Sequence, residues 1–142
     1  MRSREEFRAL RETVGMSRAH LASILDVQER AVKRWETPND EGYYIAPDDA
    51  WSVLDAARQA QFEILESWRF IGNTIEQFPI DEPIKLPYYL TAQQFKDDYP
   101  DKDSRRMSMV NANVRLIAEK LHSQNIPCEF VEPSRAKVHF LI

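Results

Sequence analysis

Residues 16–36 read MSRAHLASILDVQERAVKRWE. Ser17 stands at the head of one apolar-periodic run, and Asp26 separates that run from the next, so the stretch predicts two short helices with almost no chain between them. Met16, Leu21, Ala22, Leu25, Val27, Val32 and Trp35 supply the apolar groups of such a corner, and the small side chain of Ala22 lets the helices touch. This is the spacing of a helix-turn-helix. The polar remainder is unbalanced, because Arg30, Lys33 and Arg34 crowd onto the second helix, Gln28 to about Trp35.

Upstream, Ser3 caps a helix carrying Phe7, Leu10 and Val14 at spacings of three and four, and Gly15 ends it. Downstream, a loop over 37–46 (TPNDEGYYIA) precedes Pro47, Asp48 and Asp49. Proline suits the first turn of a helix and carboxylates suit its positive end, so a further helix starts there. Trp51, Leu54, Phe62, Leu65, Trp68, Ile71, Ile75 and Phe78 recur along it at roughly helical spacing, with a break expected at Gly72-Asn73.

From Pro79 onward prolines punctuate the chain and β-favouring residues return, which puts a linker near 78–83 (FPIDEP). Ile84–Leu90 reads as a strand that Pro87 demotes to an edge or bulge. Thr91 caps a short helix to Tyr99. A longer helix from about Ser104 shows Met107, Val110, Val114, Ile117 and Leu121 in a 3-4-3-4 rhythm and ends near Asn125-Ile126-Pro127. Cys128–Val131 and Ala136–Ile142 then read as two strands joined in a hairpin by EPSR. The expected fold class is α+β: an all-α helix-turn-helix domain over 1–78, with a long connecting helix, leading to a β-α-α-β-β module over 79–142.

The chain has 142 residues, 43% of them hydrophobic and 30% charged, with three glycines, the balance of a globular protein with a packed core. A single cysteine, Cys128, excludes an internal disulfide, and no Cys/His cluster accompanies it, so zinc frameworks drop out too. The N-terminal MRSREEFRAL lacks an apolar signal core, and no run of about 18 apolar residues occurs. A soluble, cytoplasmic protein is the expectation. The formal net charge of −4 hides a gradient: residues 1–36 carry eight Arg/Lys against six Asp/Glu, whereas 37–70 carry two against seven. Any anion-binding face therefore belongs to the first 36 residues, since attraction to phosphate decays over a Debye length of about 8–10 Å.

The 16–36 stretch resembles the DNA-binding domain of the lambda-repressor-like family, also called the xenobiotic response element (XRE) family of bacterial and phage regulators. The Ser17-Arg18 opening and the Trp35-Glu36 ending carry the resemblance. Asp26 stands where the family most often has glycine, and aspartate tolerates the left-handed backbone better than most residues. The PDDAWSVLD segment (47–55) is similar to a subgroup with a C-terminal dimerisation module that includes phage repressors of anti-CRISPR operons.

The resemblance implies that the Gln28–Trp35 helix enters the major groove of double-stranded DNA, and the residue chemistry agrees. Arg30 and Arg34, four apart, each offer two parallel donors suited to guanine O6 and N7, while Gln28 and Glu29 suit adenine and cytosine edges. Ser17 and Arg18, at a helix N-terminus, suit phosphate, and Lys33 adds a backbone contact. Each has a plainer alternative: Ser17 as a simple N-cap, Glu29 paired with Lys33 at i,i+4, the cations as a solvated face.

Other chemistry is not expected. His20, His122 and His139 are scattered. Asp97, Asp98, Asp101 and Asp103 lack the glycine and terminal glutamate of a calcium loop. No phosphate loop, nucleophile elbow or catalytic carboxylate pair appears. The expectation is a non-enzymatic repressor without metal or cofactor, a homodimer on an inverted repeat. The alternatives are an antitoxin whose C-terminal module binds a toxin, and an interaction module that does not bind DNA.

Overall fold

Three helices of this chain end on the same device, and each is visible in one residue. A computed structural model describes residues 2–38, 45–75 and 82–136, with the side chains of the long fourth helix described as far as Trp68. Helix α1 (Arg4–Val14) starts at Ser3, whose hydroxyl accepts the N–H of Glu6 at 3.1 Å, and stops at Gly15 with φ 77°. There the N–H groups of Gly15 and Met16 donate to the carbonyls of Glu12 and Arg11. Helix α2 (Arg18–Leu25) stops at Asp26 with φ 55°, and helix α6 (Met107–Ser123) leads into Asn125 with φ 59°. In both, the left-handed residue and its successor donate back to two carbonyls of the last turn: Asp26 and Val27 to Ser23 and Ala22, Asn125 and Ile126 to His122 and Leu121. This two-bond cap requires positive φ, which glycine, asparagine and aspartate accept at least cost.

The chain is α+β, in the order α1, α2, α3 (Glu29–Glu36), α4 (Asp48–Ile75), β1 (Ile84–Pro87), α5 (Ala92–Asp98), α6, β2 (Cys128–Val131), with single 3₁₀ turns at Ser104–Arg106 and Pro133–Arg135. Its contacts divide it into two compact units, Met1–Ala60 and Gln61–Ile142, and this division falls within α4. The linker expected at 78–83 lies largely outside the described residues. Helix α4 passes through Gly72-Asn73 without the expected break.

In the first unit, Phe7, Val14, Met16, Leu21, Val32, Trp35, Ala50 and Leu54 are buried. Phe7 sits at the centre, edge-on to Trp35 at 6.1 Å and to Trp51 at 5.1 Å. Such edge-to-face pairs add about 0.5–1.5 kcal/mol each beyond area burial. Arg2 lies 3.9 Å over the Trp51 ring and donates twice to Asp55, at 2.8 and 2.9 Å.

In the second unit, Leu86, Tyr89, Phe95, Val110, Val114, Ile117, Leu121 and Trp68 form the core. The α6 rhythm read from the sequence is the buried stripe, Met107 at its partly buried edge. Along α4, by contrast, Phe62 is exposed and Gln61 is buried, where it donates to Asn113 at 3.0 Å. Ile71 and Ile75 lie beyond the described side chains, and Phe78 lies outside the described residues.

Strands β1 and β2 pair in parallel, Ile84 with Cys128 and Pro87 with Val131. Ile84 and Tyr88 donate to the carbonyls of Pro127 and Val131. The alternation therefore turns the nitrogen of Pro87 away from β2, where its missing N–H costs no ladder bond. The EPSR segment forms the second 3₁₀ turn, and the strand expected over Ala136–Ile142 lies outside the described residues apart from Ala136.

Candidate nucleic-acid interface

Helix α3 has one buried side and one exposed side. Val32 is fully buried and Trp35 nearly so, which fixes the rotation of the helix against α1 and α2. Gln28, Glu29, Arg30, Lys33 and Arg34 are left facing out. Gln28 is the N-cap residue, yet its side chain makes no capping bond, and Thr37 closes the far end by donating its hydroxyl to the carbonyl of Lys33 at 2.7 Å. Among the described residues the side chains of Gln28, Glu29, Arg30 and Lys33 make no hydrogen bond or ion pair, so the Glu29–Lys33 pairing is not formed. The exposed side of α3 carries three cations against one carboxylate within two helical turns.

Ser17 is an N-cap, its hydroxyl accepting the N–H of His20 at 3.0 Å. Arg18, expected at phosphate, is half-buried, and its Nε donates to Glu36 Oε2 at 2.9 Å. Arg11 reaches the same carboxylate from α1: Nε donates to Glu36 Oε1 and Nη2 to Oε2 at 3.0 Å, while Nη1 donates to the carbonyl of Met16 at 2.9 Å. The Glu36 carboxylate is completely shielded from water. One buried anion thus holds an arginine from each of the two preceding helices, and the Met16 carbonyl ties the α1–α2 turn into the same knot. Local sequence reading missed this network. Its only trace was the Trp35-Glu36 ending, which carried the resemblance without a stated task for the glutamate.

Five of the eight cations of residues 1–36 divide by place. Arg11 and Arg18 hold the three helices together. Arg30, Lys33 and Arg34 remain on a surface whose orientation that knot and the Trp35 contact fix. Glu29 sits in the first turn of α3, where a carboxylate suits the helix dipole.

Two apolar residues at the same corner are exposed. Val27, expected among the apolar groups of the corner, is 39% exposed, and Ile24, beside Leu25 on α2, is 49% exposed.

Two residues of the acidic 97–103 stretch serve local structure. Asp98 accepts the Tyr89 hydroxyl at 2.6 Å, and Asp103 caps the first 3₁₀ turn and pairs with Arg105. Burial, reinforced by Asp98, pushes the Tyr89 hydroxyl far above the ordinary tyrosine range. His122 Nε2 lies 3.3 Å from Cys128 Sγ, whose thiol burial pushes up. Among the described residues no three His, Cys, Asp or Glu side chains gather as a metal site would need, and no helix is long and apolar enough to cross a membrane. Comparison with known proteins adds no name to this geometry: no protein-family model matches the chain, and no curated protein is significantly similar to it.

Proposed function

We propose that this protein is a sequence-specific transcriptional regulator of the lambda-repressor-like kind, a cytoplasmic homodimeric repressor that inserts α3 into the major groove of an inverted-repeat operator. One observation carries the reading: a short helix locked on its apolar side by Val32 and Trp35 presents Gln28, Glu29, Arg30, Lys33 and Arg34 on the other. A helix that merely needed solubility would balance its charges along the exposed face, whereas this one concentrates donors. Arg30 and Arg34 are the guanine readers, each bidentate contact contributing about 1–3 kcal/mol of discrimination. Gln28 and Glu29 read at the helix start. Ser17, Lys33 and the first N–H groups of α2 take the phosphates. Glu36 engages Arg18 through Nε alone, so the terminal nitrogens of that guanidinium supply a further backbone contact.

A single recognition helix reads only a few base pairs, so useful affinity calls for two half-sites and hence two copies. The second unit, with part of α4, is the module assigned to pairing. A second reading, an antitoxin, is favoured by one observation in that unit: Leu90 and Phe130 are large, apolar and at least half exposed. Exposed apolar side chains of this size also suit contact with a protein partner.

The test is selection of bound sequences from a random duplex library by the purified protein at about 0.15 M salt, because affinities depend steeply on ionic strength. Enrichment of a palindrome with half-site centres about 10 base pairs apart is the expected result. A folded protein that enriches nothing would leave the cations of α3 as a solvated face and shift the weight to the protein-partner reading.

A further inference from the structure

Val27 needs an explanation that the core does not give. Its backbone is pinned, with the N–H donating to the Ala22 carbonyl at 3.0 Å just after the left-handed Asp26. Its side chain is nevertheless 39% exposed, and Gln28, the first residue of the polar reading surface, follows it directly. A β-branched side chain on a fixed backbone has little rotamer freedom to lose, so such a group contacts a partner without a large ordering cost. The major groove offers apolar side chains one base-specific feature, the 5-methyl group of thymine. The N-terminal end of a recognition helix is the part that meets base edges.

We propose that Val27 is a specificity-determining residue that packs its isopropyl group on a thymine methyl, so that each half-site holds a thymine beside the bases read by Gln28 and Glu29. The proposal rests on the DNA-binding reading above and adds one base to it. The contact is apolar, so it carries no salt dependence of its own.

The experiment takes the selected operator and replaces each thymine in turn, symmetrically in both half-sites, by deoxyuridine, which removes only the methyl group. One position is expected to weaken wild-type binding about fourfold per half-site, about fifteenfold for the symmetric pair, the loss of one buried methyl-sized contact in each. Val27→Ala should bind the thymine and deoxyuridine forms of that position alike and respond normally elsewhere. An operator without thymine in its half-sites, a wild-type protein indifferent to deoxyuridine at every position, or an equal penalty in wild type and Val27→Ala would each overturn the assignment while leaving the repressor reading in place. Failure to select any operator would overturn that reading, and this assignment with it.

Discussion

Apart from His20, the buried polar side chains described in the first unit are charged: Glu36 pairs with Arg11 and also with the half-buried Arg18. In the second they are neutral amides. Asn111 Oδ1 accepts the N–H of Tyr89 at 3.0 Å, its Nδ2 donates to the Tyr89 carbonyl at 2.8 Å, and Gln61 donates to Asn113. Both solutions satisfy buried groups, and they differ in what happens when one partner is lost. A charge left alone in the interior must be desolvated without compensation, whereas a bereaved amide or peptide group costs less. The unit proposed to meet DNA is thus the one whose geometry depends on an all-or-none ionic knot.

The largest effect should come from cutting that knot. Glu36→Ala leaves Arg11 buried without its anion and should destabilise by about 3–5 kcal/mol, read as a drop in the urea midpoint. The double variant Arg11→Met, Glu36→Leu should recover much of that loss, because apolar replacement of a buried pair is often close to neutral. A single variant as harmful as the double one is harmless would bear out the contrast; two equally mild curves would erase it.

In the second unit, Asn111→Ala strips the Tyr89 peptide groups of both partners. About 1–3 kcal/mol is the expected loss, smaller than for Glu36→Ala, in the same denaturation experiment. Were it the larger of the two, the charged and neutral solutions would have to be ranked the other way.

Arg30→Ala and Arg34→Ala sharpen the comparison from outside. Both residues are exposed, so stability should move by less than about 0.5 kcal/mol, while specific DNA binding should fall by about 1–3 kcal/mol with relaxed choice at one operator position. Equal losses on cognate and random duplex would remove the base-reading roles. Arg18→Ala, in contrast, should lower stability and binding together, since its guanidinium belongs to the knot; it is not a clean probe of phosphate contact.

The smallest effect lies at the surface, where the hydrogen bonds from Arg2 hold the Asp55 carboxyl below the ordinary aspartate range. A folded pKa below the unfolded one means that the contribution is present above the unfolded value, near 3.8, and is lost as the pH falls through the folded one. Asp55→Asn should therefore slightly lower the melting temperature at neutral pH and leave it unchanged at the acid end. A difference that grew below pH 4 would contradict the sign.

Much of this was legible in the sequence because it is local. Ser3, Ser17 and Thr91 cap where a serine or threonine before an apolar run should, and Gly15, Asp26 and the Asn125 neighbourhood end helices because positive φ is written in residue type. Rotation and pairing were less legible. Periodicity marks an apolar side of α2 and α4, but it does not say which of two adjacent stripe positions the neighbouring element covers, so Val27 and Phe62, expected on apolar faces, lie out. Arg18 finds its partner eighteen residues away, a separation at which spacing rules are silent. The pairing of β1 with β2 joins strands separated by α5 and α6, as parallel strands require a long crossover, and no local turn signal announces it; the hairpin expected through EPSR involves a strand outside the described residues.

That parallel pairing also bears on time. Register brings Ile84 beside Cys128, so β1 waits for its partner until the intervening α5 and α6 have found their places, whereas α1, α2 and α3 meet through contacts close in sequence. Chain closure over longer separations slows folding. During synthesis and refolding alike, the helix proposed to read DNA should be assembled first, while β1 still presents an open edge to whatever chain is nearest.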